Sequence, residues 1–154
     1  KESAQIAYQY IKAHPEMTGL TYEEFAEKDI HVHVPEGAVP KDGPSAGVTM
    51  VTAIVSALSG IPVKNDVAMT GEITLHGKVL PIGGLREKTM AAYKAGVKTV
   101  IIPAKNKPDL EEVEEVVKNS VKFIFAETLS DVLDNALAKK PVKKTTTSKR
   151  TKNG

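Results

Sequence analysis

From Glu2 to Ala13 the apolar positions Ile6, Tyr10 and Ala13 recur at helical spacing, and the stretch predicts a helix. Met17 to Lys28 keeps no clean period and reads as a loop or a short irregular helix. The pattern then changes: Ile30, Val32 and Val34 alternate with Asp29, His31 and His33, the period of a half-buried strand that stops at Pro35. Glu36 to Pro44, rich in Pro, Gly, Asp and Lys, predicts a loop. Ala46 to Leu58 comes next as a helix without a single charge, ended by Gly60 and Pro62, and most of its circumference should be buried.

The second half is punctuated more often. Val67 to Thr70 predicts a short strand. Ile73 to Leu75 and Val79 to Ile82 bracket His76, Gly77 and Lys78, the pattern of a hairpin with glycine at its turn. Gly83 and Gly84 open a helix through Ala95, stopped by Gly96. Thr99 to Ile102 is an apolar run fit for a buried strand, closed by Pro103. Pro108 stands where a first helical residue is favoured, with Asp109, Glu111 and Glu112 at the positive end of a helix running to about Lys118. Val121 to Phe125 predicts another strand, and Thr128 with Asp131 a capped helix to Ala138. Strands alternating with helices predict an α+β domain with α/β-like layers and parallel pairing. No internal repeat is visible.

Composition narrows the chemistry. The 154 residues suffice for one cored domain and a tail. The chain has no cysteine, which removes disulfides, thiolate metal sites and a cysteine nucleophile. It has no tryptophan and 5% aromatics, a poor supply for stacking single strands. The formal charge of +2 conceals an asymmetry: residues 139–154 hold seven Lys/Arg and no acid, leaving 14 basic and 19 acidic residues in the body. The expected division is therefore a domain over 1–138 and a basic, disordered tail over 139–154, where nucleic acid would find its charge complement. The longest uncharged run, Gly43 to Val63, contains two prolines and three glycines and predicts a buried helix, not a membrane span. The chain begins with Lys rather than Met, as expected of a fragment or a processed piece.

Two places carry candidate chemistry. Ser45 is flanked by small residues in Lys41-Asp42-Gly43-Pro44-Ser45-Ala46-Gly47, at the start of the uncharged helix. Unpaired backbone N–H groups there suit a developing oxyanion, and the same position suits an ordinary serine N-cap. Gly43 to Gly47 also matches the G-x-S-x-G nucleophile elbow, but the hydrophobic strand that should lead in is missing, and the sole histidine downstream, His76, lies in a turn. Lys88 falls inside an arc formed by Leu85, Ala91, Ala92 and Ala95, opposite Arg86, Glu87, Tyr93 and Lys94. A lysine aimed at an apolar face can serve as a base, since burial disfavours an ammonium; it can equally snorkel to water. His31 and His33 share a strand face at a metal-ligand spacing, but no acidic cluster joins them, so no metal site is expected. Gly71 to Val79 fails as a phosphate loop, with five residues between its glycines and Val79 in place of Ser/Thr. Glu111, Glu112, Glu114 and Glu115 read as a solvated helix face.

The string from His31 to Gly47, HVHVPEGAVPKDGPSAG, resembles the active-serine segment of the Lon proteases, and Thr70 to Lys88, TGEITLHGKVLPIGGLREK, resembles their active-lysine segment. Val100-Ile-Ile-Pro and Asn106-Lys-Pro-Asp-Leu resemble the stretch C-terminal to the active lysine in that family. The resemblance spans roughly Glu2 to Ala138. It implies the Lon protease domain fold, related to ribosomal protein S5 domain 2, and a serine endopeptidase with a Ser–Lys dyad. Ser45 would be the nucleophile and Lys88 the general base. Thr70 would orient the lysine, and His33, Asp42 and Glu72 would lie near the site. Backbone N–H groups of Gly43 and Ser45 would form the oxyanion hole. Further implied are unfolded, damaged or short-lived regulatory proteins as substrates, a homo-oligomer forming a hexameric ring, and no membrane partner. No cofactor is expected within the chain; ATP and magnesium would belong to an ATPase module outside it. The pattern looks bacterial, hence cytoplasmic, with the mitochondrial matrix as the alternative. The rival expectations are a noncatalytic module, nucleic-acid binding by the tail, and an α/β-hydrolase lacking its histidine.

Overall fold

A computed structural model of the chain describes residues 2–20, 23 and 47–138. The strand expected at 30–34, the loop to Pro44 and the basic tail lie outside the described residues, as do Ser45, Gly43, Asp42, His31 and His33.

Three strands, β1 (Val67–Met69), β4 (Thr99–Pro103) and β5 (Lys122–Ala126), form a parallel sheet in the order β1-β4-β5. Val67 pairs with Thr99, and the β4–β5 register runs from Thr99 with Lys122 to Pro103 with Ala126. A separate antiparallel pair, β2 (Glu72–Ile73) and β3 (Val79–Leu80), is the expected hairpin, shortened to two residues on each side. The Thr74 hydroxyl takes over where pairing stops, accepting from the His76 and Lys78 N–H groups at 3.1 Å each. The α+β expectation with parallel pairing is met.

Both faces of the parallel sheet are covered, and alternate residues serve opposite sides. Val67, Met69, Ile101, Ile124 and Ala126 face a cluster completed by helices α1 (Glu2–Ala13), α2 (Gly47–Ser59) and α5 (Leu129–Ala136). Ala68, Val100, Ile102, Phe123 and Phe125 face the other side, under α3 (Leu85–Lys94) and α4 (Glu115–Ser120). In α2 the buried stripe is Val48, Val51, Thr52 and Val55, with the Thr52 hydroxyl donating to the Val48 carbonyl at 2.8 Å. Most of the circumference of α2 is buried or half-buried, as its lack of charge suggests, and Ala53 and Ala57 are its exposed positions. In α1 the buried positions are Ala7 and Ile11, flanked by half-buried Ile6 and Tyr10, whereas Ala13 is exposed. The capping box at Thr128 and Asp131 forms as its spacing suggests, and α5 ends two residues early, at Ala136.

The single helix expected from Pro108 to Lys118 is also corrected. A 3-10 helix spans Ala104–Glu112, with Pro108 inside it, and α4 begins only at Glu115 after extended residues at Val113 and Glu114. The break falls at Val113, which is extended and buried in the cluster under α3 and α4, while Asn106 near the other end of the 3-10 segment is buried and bonded to Ile82.

Candidate active site

The carboxyl end of β1 is where the site residues converge. Thr70 comes directly after Met69, and its N–H still bonds to the Ile101 carbonyl at 3.0 Å, so the strand path continues through it. Period two puts Thr70 on the face of Ala68, beneath α3. It is 6% exposed, and its hydroxyl oxygen is the one buried side-chain polar atom among the described residues without a hydrogen-bond partner. A buried hydroxyl left so costs about 1–3 kcal/mol, so its retention needs a reason other than stability.

Gly71 turns the chain away at φ +148°, in a region that favours glycine, and a Cβ there would meet Val79 Cγ1 at 2.9 Å. The turn brings the Gly71 carbonyl to the start of α2, where it accepts from the Val48 N–H at 3.0 Å. Glu72 reaches the same helix end. Its carboxylate accepts from the Ile73 N–H at 3.2 Å and lies where a Cβ on Gly47 would stand. The first residue of α2 is thus pressed against Glu72 and Ile73: an added Cβ would displace the Glu72 carboxylate and stand 3.0 Å from the Ile73 nitrogen. Glu72 also puts negative charge at the positive end of α2, a favourable placement.

Opposite Thr70 stands Lys88, in the second turn of α3. Helical side chains lean toward the N-terminus, and this one leans so far that its amine lies 3.6 Å from where a Cβ on Gly84 would be. Lys88 is half-buried. Thr70, Lys88, Gly84, Glu87 and Thr89, with Thr49 of α2, border one cavity of about 640 Å³ whose remaining wall is apolar, largely alanine and valine with Met69.

The apolar arc expected around Lys88 exists but is split: Leu85 is in the core and Ala92 packs against it, while Ala91 and Ala95 border the cavity. Leu85 and Thr89 are the buried residues of α3, while Ala91 and Ala95 are exposed to the cavity. Helical-wheel spacing places Lys88 correctly among the alanines and misses that the packed face is rotated toward Thr89. Thr89 hides its hydroxyl by donating to the Arg86 carbonyl at 3.1 Å. On the far side of α3, Arg86 bonds Glu114 at 2.9 Å, so that one member of the expected solvated acidic face is an interhelical partner.

Of the site residues read from sequence, the structure brings Thr70 and Lys88 to one cavity and holds Glu72 at the N-terminus of α2. Ser45, Gly43, His33 and Asp42 are outside the described residues. Sequence reasoning missed Thr49 and the pairing of Asn106 with Ile82. No period flags either, since both depend on contacts distant in sequence. Among the described residues no three His, Cys, Asp or Glu side chains converge as metal ligands would, and no helix is long and apolar enough to cross a membrane.

Residues 1–139 match the family model described as the Lon protease (S16) C-terminal proteolytic domain. Among curated relatives, the Lon protease of Clostridium acetobutylicum is 61% identical over 137 residues, covering 89% of this chain and 18% of the relative. That of Brevibacillus choshinensis is 56% identical over 142 residues, covering 92% and 18%. That of Fervidobacterium nodosum is 58% identical over 138 residues, covering 89% and 17%. The chain spans under a fifth of the length of these relatives. With a family match over nine-tenths of the sequence, on a fold whose sheet end brings Thr70 and Lys88 to one cavity, the chain belongs to the Lon protease (S16) family, within its C-terminal proteolytic domain.

Proposed function

We propose that this chain hydrolyses peptide bonds with a Ser45–Lys88 dyad, as the proteolytic part of an ATP-dependent protease. The observation that carries the reading is the pairing, across one cavity, of a half-buried lysine with a buried, unpartnered threonine hydroxyl. The Lys88 amine takes the proton from the Ser45 hydroxyl as that oxygen attacks the scissile carbonyl carbon. The tetrahedral oxyanion is stabilised by N–H groups of Gly43 and Ser45; Pro44 has none to give. Lys88 then gives its proton to the departing amine, leaving an acyl-serine that water hydrolyses by the same route in reverse. In the working site the Lys88 amine donates to the Thr70 hydroxyl, which lies on the same cavity and has no partner in this structure. Glu72 secures the start of α2, two residues past Ser45, while His33 and Asp42 line the approach.

The remaining features of the reading come from family membership. They are a fold related to the ribosomal protein domain, unfolded or short-lived proteins as substrates, a hexameric ring, ATP and magnesium bound by a separate module, and the bacterial cytoplasm or the mitochondrial matrix as the setting. The test is a pair of variants in the full chain. Ser45→Ala and Lys88→Ala should each abolish cleavage of an unstructured fluorogenic peptide while circular dichroism stays that of the parent. Full activity in Lys88→Ala would refute the dyad.

The seven basic residues after Ala138 support a second, independent reading, that the tail binds nucleic acid through phosphates. Its affinity should fall steeply with salt and vanish when residues 139–154 are removed. Binding insensitive to either change would rule it out.

A further inference from the structure

We propose that Asn106 is a positioning residue for Lys88, supported by Asp109; the inference rests on the dyad reading and extends it to residues far from the cavity. Asn106 is 1% exposed. Its amide oxygen accepts from the Ile82 N–H at 2.9 Å, and its amide nitrogen donates to the Ile82 carbonyl at 2.9 Å and to Asp109 Oδ2 at 2.7 Å. One side chain thus pairs both backbone groups of a residue 24 positions away, as a neighbouring strand would. The amide orientation is fixed, because Ile82 offers one donor and one acceptor and Asp109 needs a donor.

The location of this clamp gives it its role. β3 stops at Leu80, and Pro81 has no N–H to extend the ladder. Between Ile82 and α3 stand only Gly83 and Gly84, the two residues least able to fix a backbone path by themselves. Gly84, at φ +74°, is the N-cap of α3 and supplies no side-chain bond. Ahead of buried Leu85, the Ile82 backbone is thus the point at which a side chain fixes the path into the helix. One turn on, the Lys88 N–H bonds to the Gly84 carbonyl at 3.0 Å, and the Lys88 amine folds back over Gly84 itself. A shift at Ile82 passes through two side-chain-free residues to the point where the amine rests. The clamp is anchored in turn: Asp109 takes the second amide hydrogen, and Lys107, adjacent to Asn106, has its amine 5.2 Å from the Phe125 ring centre.

The experiment uses the full chain with 13C-labelled lysine, the Lys88 Cε signal being assigned through Lys88→Arg, alongside peptide hydrolysis. Asn106→Leu keeps the volume and removes all three bonds. It should move the Lys88 signal and lower kcat roughly 10- to 100-fold, the cost of a misplacement of about 1 Å, with KM held within about twofold. Asp109→Ala should move the signal less, in the same direction. Asp109→Asn, whose amide oxygen can still accept, should restore both readouts. A folded Asn106→Leu with the parent's Lys88 signal and kcat overturns the proposal, as does a kcat loss matched by the fraction unfolded with the signal unmoved. Should Asn106→Leu fail to fold, Asp109→Ala decides: an unmoved Lys88 signal overturns the proposal. Activity retained in Lys88→Ala would instead strike the dyad, and the signal would still report whether Asn106 places the lysine.

Discussion

The two faces of the parallel sheet are built from alternate residues of the same three strands, yet they differ in kind. On one face α1, α2 and α5 close over Ile101, Ala126, Val51, Val55 and Leu129, all fully or nearly fully buried, and the polar group there, Thr52, is bonded within its own helix. On the other face α3 and α4 cover the sheet incompletely. There an open cavity of about 640 Å³ holds a lysine and an unbonded threonine hydroxyl, and a buried asparagine fixes a loop. Alternation along β1 and just past it gives Val67 and Met69 to the packed cluster and Ala68 and Thr70 to the cavity side. Stability is concentrated where every polar group is satisfied. Reactivity is available where one has been left without a partner.

This contrast can be broken at several points, beginning with the largest effect. Ser45→Ala and Lys88→Ala, on the cavity side, should each reduce peptide cleavage by roughly a thousandfold or more while the thermal midpoint stays within a few degrees. Comparable midpoint losses would mean that Lys88 is a structural lysine. On the packed side, Ile101→Ala should cost about 2–5 kcal/mol in urea unfolding, from lost burial plus a residual cavity. Activity should then track the folded fraction alone, and a specific loss of kcat in fully folded protein would deny the division of labour between faces.

Thr70→Val sharpens the comparison further. It removes the unpaired hydroxyl at nearly constant volume, so stability should hold or rise by about 1 kcal/mol. The kcat should nonetheless fall about tenfold, because the hydroxyl proposed to receive the Lys88 amine in the working site is gone. A fall in stability with activity intact would reverse the assignment. The smallest effect is expected at Thr128→Ala, remote from the cavity, where losing the capping box should cost about 1 kcal/mol and leave kcat unchanged.

Much of the fold is legible in the chain, for physical reasons that differ by residue. Alternation and apolar runs mark β4 and β5, and Gly96, at φ +84°, stops α3 where glycine should. Thr128 and Asp131 announce their cap because its spacing is local. The helix predicted from Pro108 breaks at Val113, extended and buried against residues distant in sequence, a packing contact that leaves no periodic trace. Helical spacing in α3 groups Lys88 with Ala91 and Ala95 correctly but does not tell a core-facing arc from one facing a cavity. Hydrophobicity is the same in both, and what rotates the helix is the buried, self-satisfied Thr89. In the sequence Thr70 stands out through the family resemblance alone; that its hydroxyl is buried without a partner is visible only in the fold.

The most direct test of the central claim is the rate at which a fluorophosphonate modifies the chain, monitored by mass spectrometry in the parent and in Lys88→Ala. The account predicts one adduct, mapped to Ser45, forming roughly 10²- to 10⁴-fold more slowly without the lysine. Equal rates in the two proteins, or an adduct on another residue, would contradict it.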